Sequence, residues 1–175
     1  MGIHSYLGET GTNVGPGLRI GSLLGGHLSP LFSLNAEITF DFLNVKILPA
    51  GYTVKEVDFV LAFSPLLHLP ISMTMDVDFV IGPKLGIRGL AATSDTAVSS
   101  ATFSGSGGVL GLNAGIFAAV SPNLAAGALL SVDVRSVSTT KSCISIGGGP
   151  STCTTDESPN ATSNKTIALN AGLMF

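Results

Sequence analysis

The sequence predicts an all-β fold: an eight-stranded antiparallel transmembrane up-and-down β-barrel that takes up residues 1–175 as a single domain. Three observations lead there. Charge is scarce, with Asp, Glu, Lys and Arg making up 11% of the chain against about a quarter in soluble proteins, and mean hydropathy is +0.53. Yet no apolar run reaches the roughly 18–20 residues that a spanning helix needs, because Gly, Ser, Asp or Thr interrupts every one. Finally, apolar and polar residues alternate with period two, which sends successive side chains to opposite faces of a strand. A closed barrel of strands is the only other structure that satisfies every backbone polar group inside lipid.

The elements follow from that alternation and from the turn residues between its runs. Strands are expected over 2–7, 15–28, 31–45, 53–64, 70–92, 108–120, 124–140 and 165–175. In the third, Leu34, Ala36, Ile38, Phe40 and Phe42 share one face, and Ser33, Asn35, Glu37, Thr39 and Asp41 the other. In the fourth, Val57, Phe59, Leu61 and Phe63 oppose Glu56, Asp58, Val60 and Ala62. In the fifth, Met73, Met75, Val77, Phe79 and Ile81 oppose Thr74, Asp76, Asp78 and Val80. Gly82-Pro83 interrupts this fifth run but not its phase, since Asp78, Val80, Gly82, Lys84, Gly86 and Arg88 stay on one face. One long strand bent at a bulge is therefore expected rather than a reversal.

The connections alternate in kind. Ser29-Pro30, Ser64-Pro65 and Ser121-Pro122-Asn123 are expected as tight turns, and residues 8–14, 46–52, 93–107 and 141–164 as longer polar or glycine-rich loops. Short turns at one end and long loops at the other are the habit of bacterial outer-membrane barrels. The start, Met1-Gly2-Ile3-His4-Ser5, has neither the charged nor the apolar region of a secretory signal, and is read as a mature or recombinant form.

Charge placement says which face looks inward. The polar face carries Arg19, Glu37, Asp41, Glu56, Asp58, Asp76, Asp78, Lys84, Arg88, Asp133 and Arg135, which is 11 of the 19 charged residues. Lys55 and Lys165 fall at rims, where a long side chain snorkels to water. A soluble barrel would clothe its outside with many more charges. Inward polar residues and outward oil therefore fit a membrane barrel.

The last strand, Thr166-Ile167-Ala168-Leu169-Asn170-Ala171-Gly172-Leu173-Met174-Phe175, alternates and stops at a terminal Phe. It resembles the C-terminal signal by which the barrel assembly machinery recognises bacterial outer-membrane proteins. At the level of architecture the whole chain is similar to the small eight-stranded barrels of the OmpA, OmpX and OmpW-like families. That resemblance implies a bacterial outer-membrane location, outer-membrane lipid as surroundings, the assembly machinery as a partner in biogenesis, and Phe175 as the end of the assembly signal. The aromatic content is thin for such a barrel, with no Trp and only Tyr6 and Tyr52.

Eight strands leave an interior just wide enough for side chains to fill. Seven acidic and four basic inward residues can neutralise one another largely in ion pairs, such as Asp76 or Asp78 with Arg88 or Arg135. A salt-bridged plug is the expectation, and a narrow polar path is the competing one. Gly21, Gly25, Gly111, Gly115 and Gly127 leave parts of the lumen thinly filled. Asp76 and Asp78 project to one side, but no neighbouring His or Glu completes a ligand set or an acid–base pair, and His4, His27 and His68 lie on separate elements. No catalytic residue, metal site or cofactor is expected.

Cys143 and Cys153 lie in the longest loop with nine residues between them and no other cysteine in the chain. A disulfide is expected in an exported, oxidising setting; zinc would lack ligands. Two sequons, at Asn160 and Asn164, carry no weight in a bacterial exported protein. The glycine runs at 105–108 and 147–149 lack the Lys-Ser/Thr of a phosphate loop. The net charge of −3 gives no basis for a nucleic-acid partner. The expected role is that of a structural or surface-interaction protein, with an extracellular or periplasmic protein as candidate partner. The alternative is passive transport of small or hydrophobic molecules.

Overall fold

The computed structural model describes residues 1–7, 17–47, 52–72, 76–95, 99–121 and 124–174. Eight antiparallel strands close in chain order into an up-and-down barrel, β1 pairing with β8. They are β1 (Gly2–Leu7), β2 (Gly17–Ser29), β3 (Phe32–Ile47), β4 (Tyr52–Ser72), β5 (Val77–Asp95), β6 (Ser99–Ser121), β7 (Leu124–Ile146) and β8 (Thr152–Met174).

The alternation becomes an inside and an outside. Along β3, Ser33, Asn35, Glu37, Thr39 and Asp41 are buried in the lumen, whereas Phe40 and Phe42 stand outside, each more than 40% exposed. Leu61, Phe63, Leu67 and Leu69 of β4, Leu85 and Ile87 of β5, Leu110 and Leu112 of β6 and Val132 and Val134 of β7 complete an apolar belt. So much contiguous exposed oil would aggregate in water; it is the surface that hydrocarbon requires. Lys55 and Lys165 are exposed at the rims.

Three expectations about the chain's path need correction. Ser64 and Pro65 do not turn; they lie inside β4, which runs on to Ser72 before the antiparallel β5 begins at Val77. The lumen phase Asp58, Val60, Ala62, Ser64, Leu66, His68 runs straight through Pro65, and packing of that face outweighs the local signal of the proline. Nor is there a bulge at Gly82-Pro83. The β4–β5 ladder passes from Phe63↔Leu85 to Leu67↔Ile81 in unchanged register, so Pro65 and Pro83 fall in the same interruption. Two residues without N–H groups thus share one break instead of causing two. The strands come so close there that a Cβ on Gly82 would sit 1.8 Å from the Pro65 carbonyl oxygen, so only glycine fits.

The third correction concerns the long loops. Most of 93–107 and 141–164 is strand: β5 reaches Asp95, β6 begins at Ser99, β7 reaches Ile146 and β8 begins at Thr152. β6, β7 and β8 are 23 residues each, or roughly 75 Å at about 3.3 Å per residue, where about 9–11 residues cross a membrane. They rise beyond the belt as hairpins. The sequence there is rich in Ser and Thr without a polar–apolar rhythm, because both faces meet water. At the tip of β7–β8, Gly147 and Gly148 have φ of 62° and 73°, and the Gly149 N–H donates to the Ile146 carbonyl at 3.1 Å. Two consecutive positive φ values make a turn whose twist matches the strands, which favours glycine at both positions.

Candidate functional site

The lumen is built from side chains that the odd or even phase of each strand turns inward. Its most demanding feature is at mid-barrel, where Asp41 of β3 lies directly opposite Asp58 of β4. Like charges so placed repel, and both are fully buried. Three guanidinium groups resolve the conflict. Arg135 Nη1 donates to Asp41 Oδ2 at 2.7 Å and to Asp58 Oδ2 at 2.9 Å. Arg19 binds Asp41 through two nitrogens, with Nη2 2.8 Å from Oδ2. Arg88 binds Asp58 at 2.9 and 2.8 Å and reaches Glu56 at 3.5 Å. Planar forks against carboxylates suit a site with no room for water shells.

A second layer lies toward the turns. Lys84 Nζ donates to Glu37 Oε1 at 2.7 Å and to Asp133 Oδ2 at 3.3 Å, and Asp133 also meets Arg135 at 3.2 Å. Asn113 donates to Glu37 Oε2 at 3.2 Å and to Ser64 Oγ at 2.8 Å, and accepts from Ser131 at 2.7 Å. Counted over these two layers, four cations (Arg19, Lys84, Arg88, Arg135) face five carboxylates (Glu37, Asp41, Glu56, Asp58, Asp133), and Glu56 is the partly exposed one.

Of the eleven charged residues expected in the lumen, these nine meet in one network. Asp78 is inward but bonds to His68 instead of an arginine. Asp76 is a correction: it is exposed in the β4–β5 turn with φ of 45°. Asp tolerates that left-handed backbone better than most residues, so the turn claims it. Phe175 lies outside the described residues, as do Met73, Thr74 and Met75.

The third layer, at the turn-side end, was not anticipated. Ser33 Oγ is 2.7 Å from His68 Nε2 and accepts from Asn35 Nδ2 at 2.8 Å, and His68 Nδ1 is 3.3 Å from Asp78 Oδ2. The His27 ring lies 4.5 Å from that of His68. These two histidines, expected on separate elements, are neighbours because β4 continues past Pro65 and brings His68 inward. Extending the phase of β4 by four residues would have found it. Leu66, Val80, Phe117 and Leu129 pack beside this layer as an apolar cluster. Among the described residues, no group of three or more His, Cys, Asp or Glu could hold a metal ion.

Above the barrel, Cys143 and Cys153 face each other across β7–β8 and form a disulfide, Cα atoms 4.1 Å apart. They do not close an irregular loop; they staple a hairpin. Ser142 and Thr154, the next pair, are hydrogen-bonded through their hydroxyls at 2.9 Å.

No known sequence family and no curated protein matches this chain. Solved structures do. A major outer membrane protein from Thermus thermophilus superposes with a TM-score of 0.57 at 15% identity, covering 98% of each chain. Acinetobacter baumannii CarO aligns over 97% of this chain and 96% of its own, with 13% identity and a TM-score of 0.37. Closed ring, apolar belt, short turns and tall hairpins together define a membrane-spanning β-barrel. Its architecture is that of the small bacterial outer-membrane barrels.

Proposed function

We propose that this is an integral protein of the bacterial outer membrane whose barrel is an anchor and whose working surface is the sheet that β5–β8 carry beyond the belt. The observation that carries the reading is the stapled β7–β8 hairpin standing over a lumen filled by ion pairs. A chain that needed only to span lipid has no use for strands of 23 residues. The partner class is an extracellular protein, met by the Ser- and Thr-rich hairpins. During biogenesis the sequence from Thr166 to Phe175 is the part offered to the barrel assembly machinery.

A second reading has its own observation. A cavity of about 90 Å³ opens beside β2, lined among others by Gly21, Leu23, Thr39, Phe117, Leu129 and Asn170. Its mixed lining suits a small amphipathic molecule and favours passive transport of small or hydrophobic solutes. Planar-bilayer recording separates the two. The anchor reading expects no steady conductance from the folded protein; stable single channels would replace it with transport.

A further inference from the structure

Ser33, His68 and Asp78 come from β3, β4 and β5, and their hydrogen bonds run in one direction. Asp78 fixes that direction, and Asn35 is consistent with it. The Asn35 amide nitrogen lies 3.2 Å from the Ser64 carbonyl oxygen, which can only accept, so this nitrogen is the NH₂ and not the amide oxygen. The same NH₂ group donates to Ser33 Oγ. The Asp78 carboxylate only accepts, so a neutral His68 carries its hydrogen on Nδ1 and gives it to Asp78. That leaves Nε2 unprotonated, to accept the Ser33 hydrogen. That is the tautomer a general base needs, held by a carboxylate on the far side of the ring.

From this geometry we propose that Ser33 is the nucleophile of an acyl-transfer site at the turn-side end of the lumen, taking small carboxylic esters with an apolar acyl group. Ser33 Oγ attacks the ester carbonyl carbon while its proton passes to His68 Nε2. Collapse of the tetrahedral intermediate expels the alcohol, which leaves with that proton, and the acyl group remains on Ser33. Water, deprotonated by His68, then releases the carboxylic acid and restores the hydroxyl. Asp78 is a positioning residue that holds the imidazole. Asn35 Nδ2, 2.8 Å from the nucleophilic oxygen, would transfer the N–H that it gives Ser33 to the developing oxyanion, keeping its other one on the Ser64 carbonyl.

The neighbours select the substrate. Leu66 is opposite Ser33 in the β3–β4 ladder and Val80 is opposite His68 in the β4–β5 ladder. Both belong to the apolar cluster with Phe117 and Leu129, which offers an acyl chain a surface and a charged one none. Ser33 and His68 are each 1% exposed, whereas the Asp78 side chain is 36% exposed. Approach is therefore from the turn side. There His27, exposed, opposite Ser33 in the β2–β3 ladder and with its ring 4.5 Å from that of His68 at a tilt of 54°, covers the approach.

The test is labelling of the folded barrel in detergent micelles with a small alkyl fluorophosphonate, in which Ser33 Oγ displaces fluoride from phosphorus. Intact mass and peptide mapping should find a single adduct, on Ser33. Ser33→Ala should remove it, and His68→Gln should slow it by about 100-fold or more. Asp78→Asn should displace the pH–rate profile, which a purely structural carboxylate would not do, and His27→Ala should speed labelling. Heat-dependent gel mobility reports folding of each variant; should Ser33→Ala fail to fold, the site mapped on the unaltered protein decides. No adduct on either the folded parent or folded His27→Ala, or an adduct mapped to another residue, overturns the proposal.

Discussion

Asp41 and Asp58 show how a single side chain can hold this lumen together. Arg135 touches Asp41, Asp58 and Asp133, so replacing it leaves three buried carboxylates short of a cation. Breaking a buried pair from one side costs about 3–5 kcal/mol, much more than the intact pair contributes. Arg135→Leu is accordingly expected to lower stability by that order in urea unfolding from micelles, while Glu56→Gln, at the partly exposed end of the network, should change it by less than about 1 kcal/mol. The outer face makes the opposite demand. Phe40 packs against Phe59 with ring centroids 5.1 Å apart, and Phe40→Arg would bring a charge to lipid at a cost of about 2–4 kcal/mol near the midplane. Impaired assembly, read as loss of the compact band on unboiled gels, is the expected result. If Phe40→Arg assembled normally, that face would not meet hydrocarbon.

At the scale of the strand, the disulfide acts where the sheet has left the barrel. Closing a ring whose ends are 10 positions apart is worth on the order of 2–3 kcal/mol in chain entropy. The hairpin can fray without the barrel opening, so little of that reaches global stability. Cys143→Ser with Cys153→Ser should therefore assemble with an unchanged unfolding midpoint but be clipped faster between 141 and 157 by added protease. Gly147→Val should loosen the same hairpin from its tip, since a β-branched residue strains at φ of 62°; faster amide exchange at Ile144 and Ile146 would show it. Inside the membrane the strands were legible from the residues alone, because a half-buried strand must alternate and the charges can lie on one face only. Beyond the membrane they were not, as 141–146 and 152–157 are wet on both sides and leave no rhythm to read. Ser64-Pro65 misled for a related reason: a turn signal is local, whereas the phase that carries β4 to His68 is set by neighbours on β3 and β5. The lumen charges were readable as a set, but their partners were not. Who meets whom depends on the stagger between strands, which brings Lys84 to Glu37, 47 positions away.

The molecule as a whole is lopsided. Among the described residues, β1, β2 and β3 run 6, 13 and 16 residues, against 19 to 23 for β5 to β8. The heat-dependent gel shift expected of the closed ring should survive removal of residues 142–154, since Ala125–Val137 still pair with β8 within the barrel; loss of the shift would mean that the hairpin is part of the folding unit. With that overhang in place, rotation about the membrane normal matters. Among the described residues, a neighbour in the lipid plane meets either short strands or a wall that continues upward as a blade. The described strands thus give the barrel a front and a back, and a partner that binds the blade is offered one compass bearing.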